Sequence, residues 1–411
     1  MKKVLALTMA LAMALCMLAG CSNGGETDLD LNTDYGPIYD DYSYMTDEEL
    51  YELALEEGGE ITVYATSSKM LKAEEAFEEA FPGLDVTILD MDQDEVLEKC
   101  KLEANAGNVV GDVLQAKDVN GAVFYEFYAD GYCSAFYPAD ICEYIDEDLL
   151  LYGYPLYASQ SFWYYNTEAF PDGQPISSWW EIIETDEDGN QKYRLFTKEI
   201  GTETAYLSLL ASFIVNADEM EQSYKDTYGT DLEYTYDASA FDFDVPENNA
   251  GVEFLWRFSQ MKMTFIGDGD ELVLAVHNST ADDPALALAS AGKIGNRDES
   301  GYNIAWCTNL TPYTGLENCE YMYVVNDCPH PAGARLFIRY ITGGSDGESG
   351  GLKPFSKEGN WPVRSDVEDN WNPVELADTG AVEPDLEAIY SEYTHAQNMW
   401  TYWLNKNPNI G

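Results

Sequence analysis

Three short polar clusters combine hydroxyls, carboxylates and free backbone amides at places suited to holding a small charged or polar molecule. Thr66, Ser67 and Ser68 fall where an apolar run gives way to a helical one. Hydroxyls and unpaired N–H groups converge there on an anionic or polar group, or else simply cap the helix. Asp118 closes a later apolar run, where its carboxylate either meets a cationic amine or stands as an ordinary loop acid. Gly201-Thr202-Glu203-Thr204 opens a further helix and offers a matching set, with capping by Thr202 as the plainer role. Flat rings add a second chemistry. Trp163, Tyr302, Trp306 and Trp361 could stack on an organic ligand or attract a cation, although core packing is the commoner fate of a tryptophan. His277-Asn278-Ser279 follows the apolar run Leu272 to Val276 and could present polar groups beside them, the histidine more ordinarily being structural.

No catalytic constellation is expected. HExxH and the P-loop do not occur, and the three histidines stand far apart at 277, 330 and 395. Beyond Cys21 the cysteines are Cys100, Cys133, Cys142, Cys307, Cys319 and Cys328, with no CxxC or Cys/His spacing, so no metal and no cofactor are expected. The close spacings of Cys133 with Cys142 and of Cys319 with Cys328 make those pairs the disulfide candidates if the chain is exported. A carboxylate pair for glycoside hydrolysis cannot be singled out among 75 acids.

The elements that must position these groups alternate regularly from Gly58. Ile61 to Ala65 reads as a strand, and Met70, Ala73, Phe77 and Phe81 mark one face of a helix ending at Pro82-Gly83. A strand through Leu84, Val86 and Ile88, a helix over 94–105, a strand over 112–116 and a helix over 119–129 follow. This β-α-β-α-β-α order predicts a parallel sheet that binds ligands off the carboxyl ends of its strands, where Thr66 to Ser68 and Asp118 lie. Aromatics replace the alternation between Tyr154 and Tyr165, which fits a connection between two lobes. Helices are expected near 204–216, 249–262, 285–292 and 331–341, a strand at 321–325, and a hairpin or surface insertion at 185–192. Earlier, Thr46 with Glu49 forms a capping box for a short acidic helix that ends near Glu57.

Bulk composition narrows the partners. With 411 residues, 45% of them hydrophobic, the chain can bury a large core in two domains. Its 21 basic residues against 75 acidic ones give a charge of -54, which repels phosphate backbones and excludes nucleic acid as a partner. Lys2 and Lys3 precede an apolar stretch from Val4 to Ala19, too short for an ordinary span, and Leu18-Ala19-Gly20-Cys21 looks like a bacterial lipobox. The expectation is a signal peptide over 1–20, a lipidated Cys21, and a tether and acidic helix over 21–57. The folded part then lies outside the cytoplasm, held to the membrane, as on a Gram-positive surface, by acyl chains alone.

Six segments in order carry a family resemblance: Gly59-Glu60-Ile61-Thr62-Val63-Tyr64, Phe77 to Pro82-Gly83, Gly111-Asp112-Val113, Tyr165-Asn166-Thr167, Pro329-His330-Pro331-Ala332 to Ile341, and Gly359-Asn360-Trp361-Pro362-Val363-Arg364. Over about residues 58–368 the chain resembles type II extracellular solute-binding proteins of ABC importers, in the branch that carries ferric iron, polyamines and related solutes. The resemblance implies an α/β fold of two lobes joined by a hinge around a cleft. Lobe 1 is expected over 58–158 plus about 320–358, and lobe 2 over 159–319 plus about 359–411. It also implies a monomer that captures a small-molecule solute and delivers it to an ABC permease, with an organic cation or a phosphorus-containing anion as the leading guesses. A surface lipoprotein hydrolase and a sensor that presents its ligand to a receptor are the competing readings. Iron binders of this branch use adjacent tyrosines in the second lobe, whereas Leu274 to Ala305 holds Tyr302 alone, which argues against iron.

Overall fold

A computed structural model describes residues 37–186, 188–344, 346–347 and 349–408. The expected signal peptide, the lipidation site Cys21 and the first part of the tether lie outside the described residues. Among the described residues there are fourteen strands: β1 (Glu60–Ala65), β2 (Asp85–Asp90), β3 (Val113–Lys117), β4 (Cys133–Ser134), β5 (Tyr154–Ser159), β6 (Ser161–Asn166), β7 (Arg194–Thr197), β8 (Met263–Phe265), β9 (Ala285–Ser290), β10 (Ile304–Trp306), β11 (Gly315–Leu316), β12 (Asn318–Val325), β13 (Trp361–Pro362) and β14 (Ala381–Val382). They form a sheet in the order β13-β5-β12-β3-β1-β2 with β4 beside β12, a second sheet in the order β10-β6-β9-β7-β8, and a small ribbon of β11 with β14.

In the first sheet β1 runs parallel to both β2 and β3, as the alternating pattern required. Ile61, Val63 and Ala65 pack on one face against Leu336, Phe337 and Ile341 of the helix Pro331–Thr342. Tyr64 turns to the other face, with Val96 and Cys100 of the helix Gln93–Ala106. Burial on both faces is what a parallel sheet needs. The acidic helix Asp47–Glu56 carries the expected capping box of Thr46 with Glu49 and docks Leu50 and Ala54 on this same core.

The second sheet shows the period of two in its apolar residues. Along β6, Phe162 and Tyr164 join one cluster while Trp163 joins the other with Trp179, Trp180, Phe254, Phe258 and Trp400. Residues 285–290 correct the expected helix there: they form β9, with Ala285, Ala287 and Ala289 on one face and Leu286 and Leu288 on the other. Alanine's helix propensity is overridden because the small face must admit the helix Gly269–His277 while the leucine face fills the aromatic core. The helix Leu386–Leu404 packs against the helices Thr204–Val215 and Ala250–Ser259 on the aromatic side. Trp361-Pro362, in a stretch expected to belong to the second lobe, pairs with β5 in the first sheet.

Tyr154 to Asn166 is a nearly continuous strand that passes from one sheet into the other, interrupted at Gln160. The chain returns between β10 and β12 and crosses again between β13 and the helix Leu386–Leu404, with the β11–β14 ribbon formed by these two crossings. Gln160 donates from Nε2 to Thr379 Oγ1 at 2.6 Å and so ties the first crossing to the last. Cys133 and Cys142, and likewise Cys319 and Cys328, remain free thiols, which corrects the disulfide expectation. Cys133 and Cys142 belong to different cores, on opposite faces of the first sheet.

Candidate functional site

The parallel strands of both sheets direct their carboxyl ends into one cleft of about 670 Å³. From the first sheet come Thr66 after β1, Met91 after β2, Lys117 at the end of β3 and Ser159 at the end of β5, with Asn318 and Glu320 from antiparallel β12. From the second come Lys198 after β7, Gly267 to Gly269 after β8 and Ser290 at the end of β9, with Ser161 from antiparallel β6. Gln160 sits between the two walls.

The first wall is a buried polar network. Glu320 is only 5% exposed, and its carboxylate meets Lys117 Nζ at 3.2 Å and accepts from Gln115 Nε2 at 3.3 Å. Gln115 Oε1 in turn accepts from Thr66 N at 3.3 Å, and Lys117 Nζ reaches Ser159 Oγ at 3.4 Å. Behind it Lys69 lies over the Tyr157 ring at 5.8 Å. Burial, together with the neighbouring Lys357, Lys117 and Lys72, pulls Lys69 down to about 8 against the opposing pull of Glu320. The second wall pairs Lys198 with Glu203 at 2.8 Å and Lys293 with Asp270 at 2.9 Å.

Four of the residues singled out in the sequence line this cleft: Thr66, Thr202, Glu203 and Thr204. The Thr66 hydroxyl oxygen is buried with no hydrogen-bond partner, while Thr202 donates its hydroxyl to Glu199 O at 3.0 Å. Ser67 stays in the same turn, its carbonyl accepting from Met70 N at 2.9 Å, and Ser68 is exposed; neither is among the lining residues.

The remaining residues lie elsewhere for definite reasons. Asp118 points away from the cleft because the strand's alternation hands that direction to Lys117. Its carboxylate accepts from the amides of Phe124 at 2.8 Å and Val123 at 3.3 Å, and it borders a separate pocket of about 190 Å³ with Tyr152 and Tyr321. Burial raises its carboxyl to about 6 in spite of those amides. Trp163 is fully buried in the aromatic core, edge-on to Trp179 at 5.8 Å. Trp306 stacks on Phe162 at 4.7 Å, and Trp361 donates Nε1 to Val374 O at 2.9 Å. His277 and Tyr302 stack on each other at 4.8 Å, and His277 Nδ1 accepts from Asn303 N at 3.0 Å. His277 closes the carboxyl end of the helix Gly269–His277, with Tyr302 stacked on it there, and the other end of that helix faces the cleft, roughly 12 Å away along the axis.

Sequence reasoning missed Lys117, Lys198, Lys293, Asn318, Glu320 and the Ser159-Gln160-Ser161 joint. Lys117 was legible, since extending β3 by one residue places it, not Asp118, on the cleft face.

Comparison with family models matches residues 72–384 to the bacterial extracellular solute-binding protein family. The chain belongs to this family. Its members are binding proteins that act outside the cytoplasm, and so is this solute-binding protein. Comparison with curated proteins returns no match. Among solved structures it is similar to iron-bound HitA from Pseudomonas aeruginosa, at 14% identity and a TM-score of 0.59 over 84% of this chain and 99% of that one. Apo ferric ion-binding protein A of Pasteurella haemolytica gives 14% and 0.60 over 84% and 98%. The periplasmic binding protein AgtB of A. tumefaciens R10, in complex with agropinic acid, gives 16% and 0.54 over 84% and 99%. At these identities the likeness is one of fold, the two-lobed α/β fold with an interlobe cleft. No helix among the described residues is long and apolar enough to cross a membrane.

Proposed function

We propose that this protein is the extracytoplasmic receptor of an ABC importer, closing its two sheets on a small polar or charged solute and handing it to the membrane permease without chemical change. The observation that carries the reading is the convergence of both sheets' strand ends on one polar cleft. Enclosure between the walls would remove water from both, and the crossings at Gln160 and at the β11–β14 ribbon would absorb the rotation.

Of the residues foreseen, Thr66, Thr202, Glu203 and Thr204 are assigned to the solute, and Ser67, Ser68, Asp118, Trp163, His277, Tyr302, Trp306 and Trp361 to turns and packing. Relatives of this fold carry cargoes as different as iron in HitA and agropinic acid in AgtB. Among the described residues Tyr206 is the single tyrosine lining the cleft, and it donates its hydroxyl to Leu288 O at 3.0 Å. That favours an organic solute over ferric iron. The mature protein works as a monomer tethered through lipidated Cys21, as on a Gram-positive surface.

A heat-denaturation screen against polyamines, phosphonates, sugars, ferric complexes and thiamine tests the reading. A solute at 100 times its Kd adds about 2.7 kcal/mol of stability, and small-angle scattering should show compaction. Failure of every class to stabilise or compact the protein would sink the reading, and turnover of a bound solute would return it to the hydrolase. Cys21→Ser should release the chain from membranes.

A further inference from the structure

The geometry points to a solute that presents an oxyanion, a carboxylate or a phosphate-type group, to the cleft, where two helix N-termini from opposite walls, Lys117 and Asn318 receive it. This assignment of solute class rests on the reading of the cleft as the solute site.

Charge comes first. The chain has 21 basic residues against 75 acidic ones, yet Lys117, Lys198 and Lys293 all line this cleft. Their acidic neighbours are occupied. Glu203 pairs with Lys198, Asp270 with Lys293, and Asp268 accepts from the amides of Asp270 at 2.7 Å and Glu271 at 3.1 Å. Glu320 answers Lys117 directly and faces Lys69 as well, so one buried carboxylate stands against two cations. Asp92 and Asp94 are exposed, where water screens them.

The two helices add to this. Gln93–Ala106 from the first wall and Thr204–Val215 from the second start in the cleft, and no side chain caps either of them. Leading amides such as those of Thr204 and Ala205 have no intrahelical partner, and the positive end of each helix dipole favours an anion. The third helix that starts there, Gly269–His277, has its carboxylate cap in Asp268.

Independent of charge, Asn318 lines the cleft only 6% exposed, and its amide oxygen has no hydrogen-bond partner. The Thr66 hydroxyl is likewise buried and unpartnered. Amide and hydroxyl can each donate to an oxyanion once rotated, as the amide's two ends are interchangeable. Buried polar groups ordinarily have partners, so these two, with Gln160 Oε1 as a third unpartnered atom in the same cleft, mark a place completed by a ligand.

Calorimetry on the mature chain at low salt tests this with inorganic phosphate, methylphosphonate and citrate against putrescine, spermidine and trehalose. We expect at least one anion to bind, phosphate or methylphosphonate over citrate indicating a phosphorus group and the reverse a carboxylate. Binding should weaken at least tenfold on raising salt from about 20 to 500 mM. Lys117→Met should weaken it at least tenfold. Lys198→Met, on the opposite wall in a half-exposed pair, should do the same and covers the case in which Lys117→Met fails to fold. Lys225→Met, whose partner Asp231 is on the surface, should stay within twofold. A polyamine or the sugar binding more tightly than every anion overturns the oxyanion assignment and leaves the solute-binding reading standing. An anion that binds equally well to both cleft variants also overturns it, and no binding by any of the six overturns both.

Discussion

Asp118 offers the sharpest test of how the cleft is built, because its sequence position suggested a ligand carboxylate and its surroundings make it a helix cap. Buried to 2% exposure, it is raised from 3.8 to about 6 by loss of water, with the amides of Phe124 and Val123 opposing. In the unfolded chain the same group titrates near 3.9. Between those values the folded protein binds a proton that the unfolded one does not, so stability falls as pH rises from about 4 to 6. A shift of about two units corresponds to roughly 3 kcal/mol. Asp118→Asn removes this titration and keeps one acceptor for the amides. Since 75 acids titrate in the background, the quantity to measure is the difference in urea unfolding free energy between wild type and variant. That difference should move against the wild type by about 2 kcal/mol between pH 4.5 and 7, while solute affinity stays within about threefold. A difference flat across that range would refute the burial argument. Loss of solute binding with the fold intact would return Asp118 to the ligand.

Other perturbations follow from close packing. Gly251→Ala would place a methyl 2.1 Å from Phe213 O, between the helices Ala250–Ser259 and Thr204–Val215, and should cost about 3 kcal/mol or more by urea denaturation; an unchanged midpoint would show that the helices separate freely. Trp179 donates Nε1 to Tyr313 O at 3.0 Å whereas Trp163 Nε1 has no partner. Trp179→Phe should therefore cost about 1–2 kcal/mol more than Trp163→Phe, and equal losses would count against that hydrogen bond. Arg339 bridges Asp47 at 2.5 Å and Asp140 at 2.7 Å, so Arg339→Met should cost about 1–2 kcal/mol and speed amide exchange at Leu50 and Ala54; unaltered exchange would mean the apolar face alone holds that helix.

Residue types and spacing by themselves determined strands β1 to β3 of the first sheet and their parallel order, the capped helix at Asp47 and the turn at Thr66, because each rests on local periodicity or capping chemistry. They also marked Thr202 to Thr204 as a helix start on a cleft. Tertiary structure alone decided the rest. Ala285 to Ser290 is a strand because two different cores claim its alternate faces, and local propensity carries no trace of that competition. Asn318, Glu320 and Lys293 reach the cleft through long-range strand pairing and helix placement, which bring together residues far apart in the chain. His277 was a reasonable candidate until the direction of its helix was known. The sequence marks where a helix begins; the packing of that helix on its sheet determines which end meets the cleft.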